Sequence, residues 1–143
     1  MQKLILALVV SLIPSVSFAA ANPCCTAGKN TIFSIVDAQA WSTAKKAGSF
    51  QGERFAKTGY VDAQGSTAQV EYVANKYWKG KTGVQVLCID KSKVKPEIKL
   101  ETSSSGTYPH IYGALNADAV TQAVDLAAKA DGTYAAPTAI SCI

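Results

Sequence analysis

The chain has 143 residues, a formal net charge of +4 and 48% hydrophobic residues. That is the length of one ordinary domain, with enough apolar content for a real core. Its basic residues are thirteen lysines and a single arginine, Arg54, which argues against a nucleic-acid surface, because bidentate contacts to bases and phosphates lean on arginine.

Lys3 precedes an apolar run from Leu4 to Ile13, then Pro14 and the small residues Ser15, Ser17, Ala19, Ala20 and Ala21. This is the pattern of a secretory signal peptide over residues 1–19. Ser17 and Ala19 stand at the small-residue positions for cleavage after Ala19, and cleavage after Ala21 is the alternative. The run is well short of the ~20 residues that span a bilayer, so no membrane attachment is expected after cleavage. Asn22 and Pro23 before Cys24 do not suit a lipoprotein. The mature chain, 20–143, reads as a single exported domain, periplasmic or extracellular.

Four cysteines, Cys24, Cys25, Cys88 and Cys142, read in an exported chain as disulfides before they read as metal ligands. There is no C-x-x-C and only one histidine, so no metal site is expected. Three full pairings are open. A cysteine near the end of the weakly patterned tail, 131–143, makes most sense as a staple to the Cys24–Cys25 segment.

The patterned region starts at Thr31. Ile32, Phe33, Ile35 and Val36 predict a strand. Asp37 follows as a helix N-cap, and Ala38 to Ala47 predicts a helix stopped by Gly48, with Trp41 and Ala44 on its core face. Ser49 to Ala63 is irregular with strand fragments. Ser66 or Thr67 caps a second helix reaching Trp78, whose stripe Val70, Val73, Ala74 and Tyr77 has helical spacing. Val84 to Asp90, apolar on both faces, predicts a central covered strand. Lys91, Lys93, Lys95 and Lys99 read as one solvated face of an edge segment. Ile98 to Glu101 and Tyr108 to Tyr112 are extended, joined by a loop over 103–106. Asn116 caps an expected third helix, with Leu115 as a staple and Val120, Ala123, Val124 and Ala127 on the buried face, ended by Gly132. Strands and helices interleave without regular repetition, so the fold class is α+β.

Ile32-Phe33-Ser34-Ile35 before Trp41, Gly59-Tyr60-Val61-Asp62 before Gln69, Leu87-Cys88-Ile89-Asp90, Glu101 and Pro109-His110-Ile111-Tyr112-Gly113-Ala114-Leu115 follow one another in a recognisable order. Together they resemble a small bacterial family catalogued as domain of unknown function nine-five-two, over roughly residues 32 to 126. The Pro-His-Ile-Tyr-Gly run is the specific part. The resemblance implies an ADP-ribosyltransferase-like domain: two small sheets, about three helices and a cleft between the sheets, with NAD as the cofactor to consider. This chain departs from the family pattern in carrying Asp62 where the family has histidine. Ser34 also stands where NAD-using relatives of the fold often place a basic or imidazole group.

His110, the one histidine, can act as acid or base near neutrality. Tyr108 and Tyr112 share its face on an extended chain. Glu101 is placed to orient the ring or to stabilise a cation. With His110 it forms the candidate catalytic pair, while Asp62, Tyr108, Tyr112 and Arg54 are candidate ligand contacts. The competing structural reading makes His110 a buried histidine satisfied by a carbonyl, and makes Arg54 a surface residue paired with Glu53 or with nothing.

Three functions remain in view. The one placed first is an exported small-ligand or nucleotide-binding module that has lost catalysis. The others are a glycosyl-transfer or hydrolysis enzyme using NAD or a nucleotide through Glu101 and His110, and a structural envelope protein without ligand. For the cysteines the expectation is a Cys142 link to Cys24 or Cys25, worth about 4–5 kcal/mol by chain entropy, with Cys88 bonded to the other N-terminal cysteine. Peptide mapping without reduction checks it, and a free Cys142 thiol in native protein would contradict it.

Overall fold

The computed structural model describes residues 30–135. The signal-peptide assignment, Cys24, Cys25, Cys142 and the end of the tail lie outside the described residues. Strand β1 (Thr31–Asp37) leads into helix α1 (Ala38–Ala47). The Asp37 carboxylate accepts from the Ala40 amide at 2.8 Å, as an N-cap should, and Gly48 closes the helix in the left-handed conformation. Then come β2 (Ser49–Phe50), the one-turn helix α2 (Phe55–Thr58), β3 (Val61–Asp62) and helix α3 (Thr67–Val73), capped by Ser66. Helix α3 continues as a π-helical turn, Ala74–Trp78. The remaining strands are β4 (Val84–Asp90), β5 (Glu97–Ser103), β6 (Gly106–Tyr112), β7 (Leu115–Asn116) and β8 (Val120–Asp125).

Among the described residues the strands form three small antiparallel sheets, ordered β1-β4-β8, β2-β7 and β3-β6-β5. The two-stranded β2–β7 pair is additional to the two sheets expected. Strand β4 is central, as its double-sided apolar run requires. Val84, Val86 and Cys88 pack with Phe33, Ile35, Val70 and Ala74 on one face. Leu87 and Ile89 pack with Ile32, Val36, Trp41 and Leu115 on the other. Trp41 is thus core, set edge-on to Phe50 at 6.2 Å. Cys88 is fully buried and is not free. Strand β5 is an edge strand, and its lysine-bearing face is exposed.

Two expectations are corrected. The third helix is absent. Asn116 leads into a single 3₁₀ turn, Ala117–Ala119, and Val120–Asp125 is a strand on the free edge of β4. Its apolar residues suit either period, and the unpaired backbone of a buried central strand decides the matter. Asn116 is a loop clamp instead: it accepts from the Lys95 amide and donates to the Lys93 carbonyl, each at 2.9 Å. The second correction is Tyr77, which is 60% exposed. The wider π turn carries it off the core stripe, and Trp78 packs there in its place. The three helices are therefore α1, α2 and α3, the one-turn α2 lying in the stretch read as irregular.

Candidate functional site

The site is built on a five-residue extended strip, 60–64, that belongs to two sheets at once. Val61 and Asp62 pair with Ile111 and His110 of β6, and the Ala63 amide donates to the Pro109 carbonyl at 3.1 Å. One residue later the strip crosses to β1. The Gln64 amide donates to the Phe33 carbonyl at 2.7 Å, and the Phe33 amide to the Gln64 carbonyl at 2.8 Å. The Ser34 hydroxyl adds a bond to the Asp62 carbonyl at 2.8 Å. Because side chains alternate along an extended chain, Val61 and Ala63 enter the core while Tyr60 and Asp62 stay partly exposed; Gln64, where the strip has crossed to β1, is buried again.

A cleft of about 930 Å³ runs along this junction. Its walls are β1, the segment 50–55, the strip itself, the end of β6 with Tyr108 and His110, and the α3 and π-turn residues Tyr72, Val73, Tyr77 and Trp78. The volume falls within the range of small-molecule sites.

The His110 ring is held by two contacts. The Tyr60 ring stacks on it with centroids 3.9 Å apart and planes 8° from parallel. Nδ1 hydrogen-bonds the Glu101 carboxylate, which also accepts the Tyr112 hydroxyl at 2.8 and 2.9 Å. The β5–β6 hairpin sets this up: Glu101 lies opposite Tyr108 and Lys99 opposite His110, so Glu101 reaches the ring diagonally. The hydrogen bonds from His110 and then from Tyr112 hold the Glu101 carboxyl below the usual glutamate range. The same bond to Glu101, with burial, raises the Tyr112 phenol above its ordinary value. An ionised Glu101 accepts only, so Nδ1 carries the proton and Nε2 is left to accept or donate elsewhere.

Of the residues proposed from sequence, Asp62, Tyr108, His110 and Arg54 line the cleft, whereas Glu101 and Tyr112 do not. These two reach the site through His110. Arg54 pairs with Asp62, its Nη1 at 3.2 and 3.3 Å from the two carboxylate oxygens, rather than with Glu53. Both groups are well exposed, so the pair adds ~1 kcal/mol or less to stability. Among the described residues no three His, Cys, Asp or Glu side chains converge as metal ligands, and no helix is long and apolar enough to cross a membrane.

The family model described as "Protein of unknown function (DUF952)" matches residues 35–123, well over half of the chain. The chain belongs to this family. Its fold is similar to the crystal structure of protein CC0527 from Caulobacter crescentus, with 26% identity, a TM-score of 0.67 and coverage of 73% of this chain and 92% of that one. The solution NMR structure of CC0527 is similar at a TM-score of 0.63, covering 90% of that chain. No curated protein matches. In this DUF952 chain the Pro109–Gly113 run supplies the end of β6, with Pro109 and Ile111 turned to the core and His110 to the cleft side.

Sequence reasoning missed Tyr60 and the aromatic wall of Tyr72, Tyr77 and Trp78. The first was findable, since it lies two residues from Asp62 on an extended chain. The wall depends on the π turn, which helical spacing does not announce.

The electrostatics give a directional expectation. A depressed carboxyl stabilises the fold fully above its ordinary value of 4.5 and loses that contribution as pH falls through the lower folded value. A raised phenol contributes below 10.0 and loses its share as pH rises through the higher folded value. The Glu101→Gln variant should therefore melt below the unmutated protein near neutrality, with the gap closing as pH drops below about 4.5. Thermal melts across acid pH check this, and a gap that stays constant would contradict it.

Proposed function

We propose that this chain is an exported module that binds a small, nucleotide-sized ligand in the cleft between its sheets, on an ADP-ribosyltransferase-like fold. The observation that carries the reading is His110. It lies on the cleft wall with one ring nitrogen tied to Glu101 and one face covered by Tyr60. A ring so fixed is a ready hydrogen-bonding contact that loses little freedom when a ligand arrives. Arg54 is tied to Asp62, so an anionic group on the ligand would have to exchange with that carboxylate.

One observation favours a second reading, an enzyme acting on a nucleotide or on NAD. A carboxylate behind Nδ1 is the arrangement that lets Nε2 act as a general base. In that case Glu101 positions His110 and does not touch the ligand.

Thermal-shift and calorimetric titrations with adenosine monophosphate, ADP-ribose and NAD test both readings. Binding without turnover is the expected result, with affinity falling about tenfold or more in His110→Ala, while the loss of the Glu101 bond and the Tyr60 stack lowers the melting temperature modestly. NAD consumption that drops ~100-fold in Glu101→Gln would establish the enzyme instead. A fold weakened by about 1–3 kcal/mol in His110→Ala, with no ligand response, would mean the residue is structural.

A further inference from the structure

Among the described residues three large hydrophobic side chains are exposed: Tyr72, Tyr77 and Leu100. Leu100 stands on the edge strand β5, away from the cleft lining. Tyr72, at 45%, and Tyr77, at 60%, both line the cleft, together with Trp78 and Lys81. A single exposed apolar side chain needs no explanation, but rings gathered on a concave wall mark a ligand groove.

The backbone that carries this wall is pinned to the core. The Asn75 carboxamide donates to the Tyr134 carbonyl at 2.9 Å and accepts from the Tyr134 amide at 2.8 Å. The Tyr134 hydroxyl reaches the carbonyls of both Trp78 and Lys81, and Tyr134 itself is only 1% exposed. The π turn therefore sets Tyr77 outward from a fixed support, and little backbone freedom is left to lose when a ligand arrives.

Charge states what the rings can receive. Two permanent cations line the cleft, Arg54 and Lys81. Asp62 neutralises Arg54. Lys81 forms no ion pair with a described residue, and its ammonium lies 4.5 Å from the Trp78 ring centroid. A second ammonium, that of Lys76, lies 5.5 Å from the Tyr72 centroid and 5.2 Å from the Tyr77 centroid, and bonds the Tyr72 hydroxyl at 3.3 Å. Of the other carboxylates on the lining, Asp37 is engaged as the α1 cap and Glu53 belongs to the 50–55 wall. The exposed rings thus stand beside positive charge. That disfavours a cationic guest and favours a planar ring joined to a negative group.

We infer that the π-turn wall is a ring-and-anion subsite of the cleft, in which Tyr77 stacks a planar heteroaromatic ring and Lys81 takes the ligand's phosphate or other anionic group. This rests on the reading of the cleft as a small-ligand site and adds to it the class of ligand selected. It also gives the anion a partner without breaking the Arg54–Asp62 pair.

The test titrates the full chain with adenosine monophosphate, ADP-ribose and NAD, and with adenosine, which keeps the ring and lacks the anion. Binding is followed by backbone amide shifts. The nucleotide that binds should weaken about tenfold in Tyr77→Ala and keep its affinity in Tyr77→Phe, which retains the ring. Tyr77→Leu serves should the alanine variant not fold. Lys81→Gln should weaken the nucleotide about fivefold or more and leave the weaker binding of adenosine unchanged. Both side chains are exposed, so the variants should melt near the unmutated protein. If a nucleotide shifts the cleft residues but binds the ring-less Tyr77 variant or Lys81→Gln as tightly as the unmutated protein, the inference is overturned and the cleft reading stands. If no nucleotide perturbs the cleft, both are overturned.

Discussion

The architecture turns on a hand-over of backbone hydrogen bonds between Asp62 and Gln64. The chain can lie against β6 or against β1, and within three residues it does both. Each amide on the strip is a donor that must be satisfied once buried, so the two larger sheets are locked at this seam. Side-chain alternation then follows without further cost. Apolar Val61 and Ala63 close the core, and Asp62 between them is left on the cleft side. The core thereby fixes the site, because shifting the strip by one residue would exchange the two sets.

The second constraint is the small network of Glu101, His110 and Tyr112. It is built on a hairpin with a two-residue turn, where Ser103 lies opposite Gly106 and every pair up to Glu97 and Tyr112 is in register. Gly113 then ends β6 at a φ of +153°, and a Cβ there would meet Pro96 at 2.9 Å. A side chain at this point would displace the connection into β5, and with it the Glu101 carboxylate. The glycine after the tyrosine thus supports the geometry of the histidine three residues earlier.

Much of the fold is legible in the sequence where the determinants are local. Asp37 and Ser66 cap helices as their residue types suggest, and the run from Val84 to Asp90 is apolar on both faces because it is covered on both. The third helix was misread because Val120, Ala123 and Val124 satisfy two periods, and the deciding demand, the open edge of β4, comes from more than thirty residues away in the chain. For the site, period-2 spacing correctly groups Tyr108, His110 and Tyr112 on one face. It does not reveal that Tyr112 and Glu101 stand behind the ring rather than in the cleft. That distinction depends on hairpin register and on the Tyr60 stack, both of which are tertiary.

The central claim is that His110 presents Nε2 to a ligand while Glu101 holds Nδ1. The chain contains a single histidine, so a histidine-ring nitrogen NMR spectrum reports on this residue alone. Titrated with adenosine monophosphate, the Nε2 resonance should move while Nδ1 stays in its hydrogen-bonded position. If neither nitrogen responds to adenosine monophosphate, ADP-ribose or NAD, or if Nδ1 proves not to be hydrogen-bonded in the free protein, the account is contradicted.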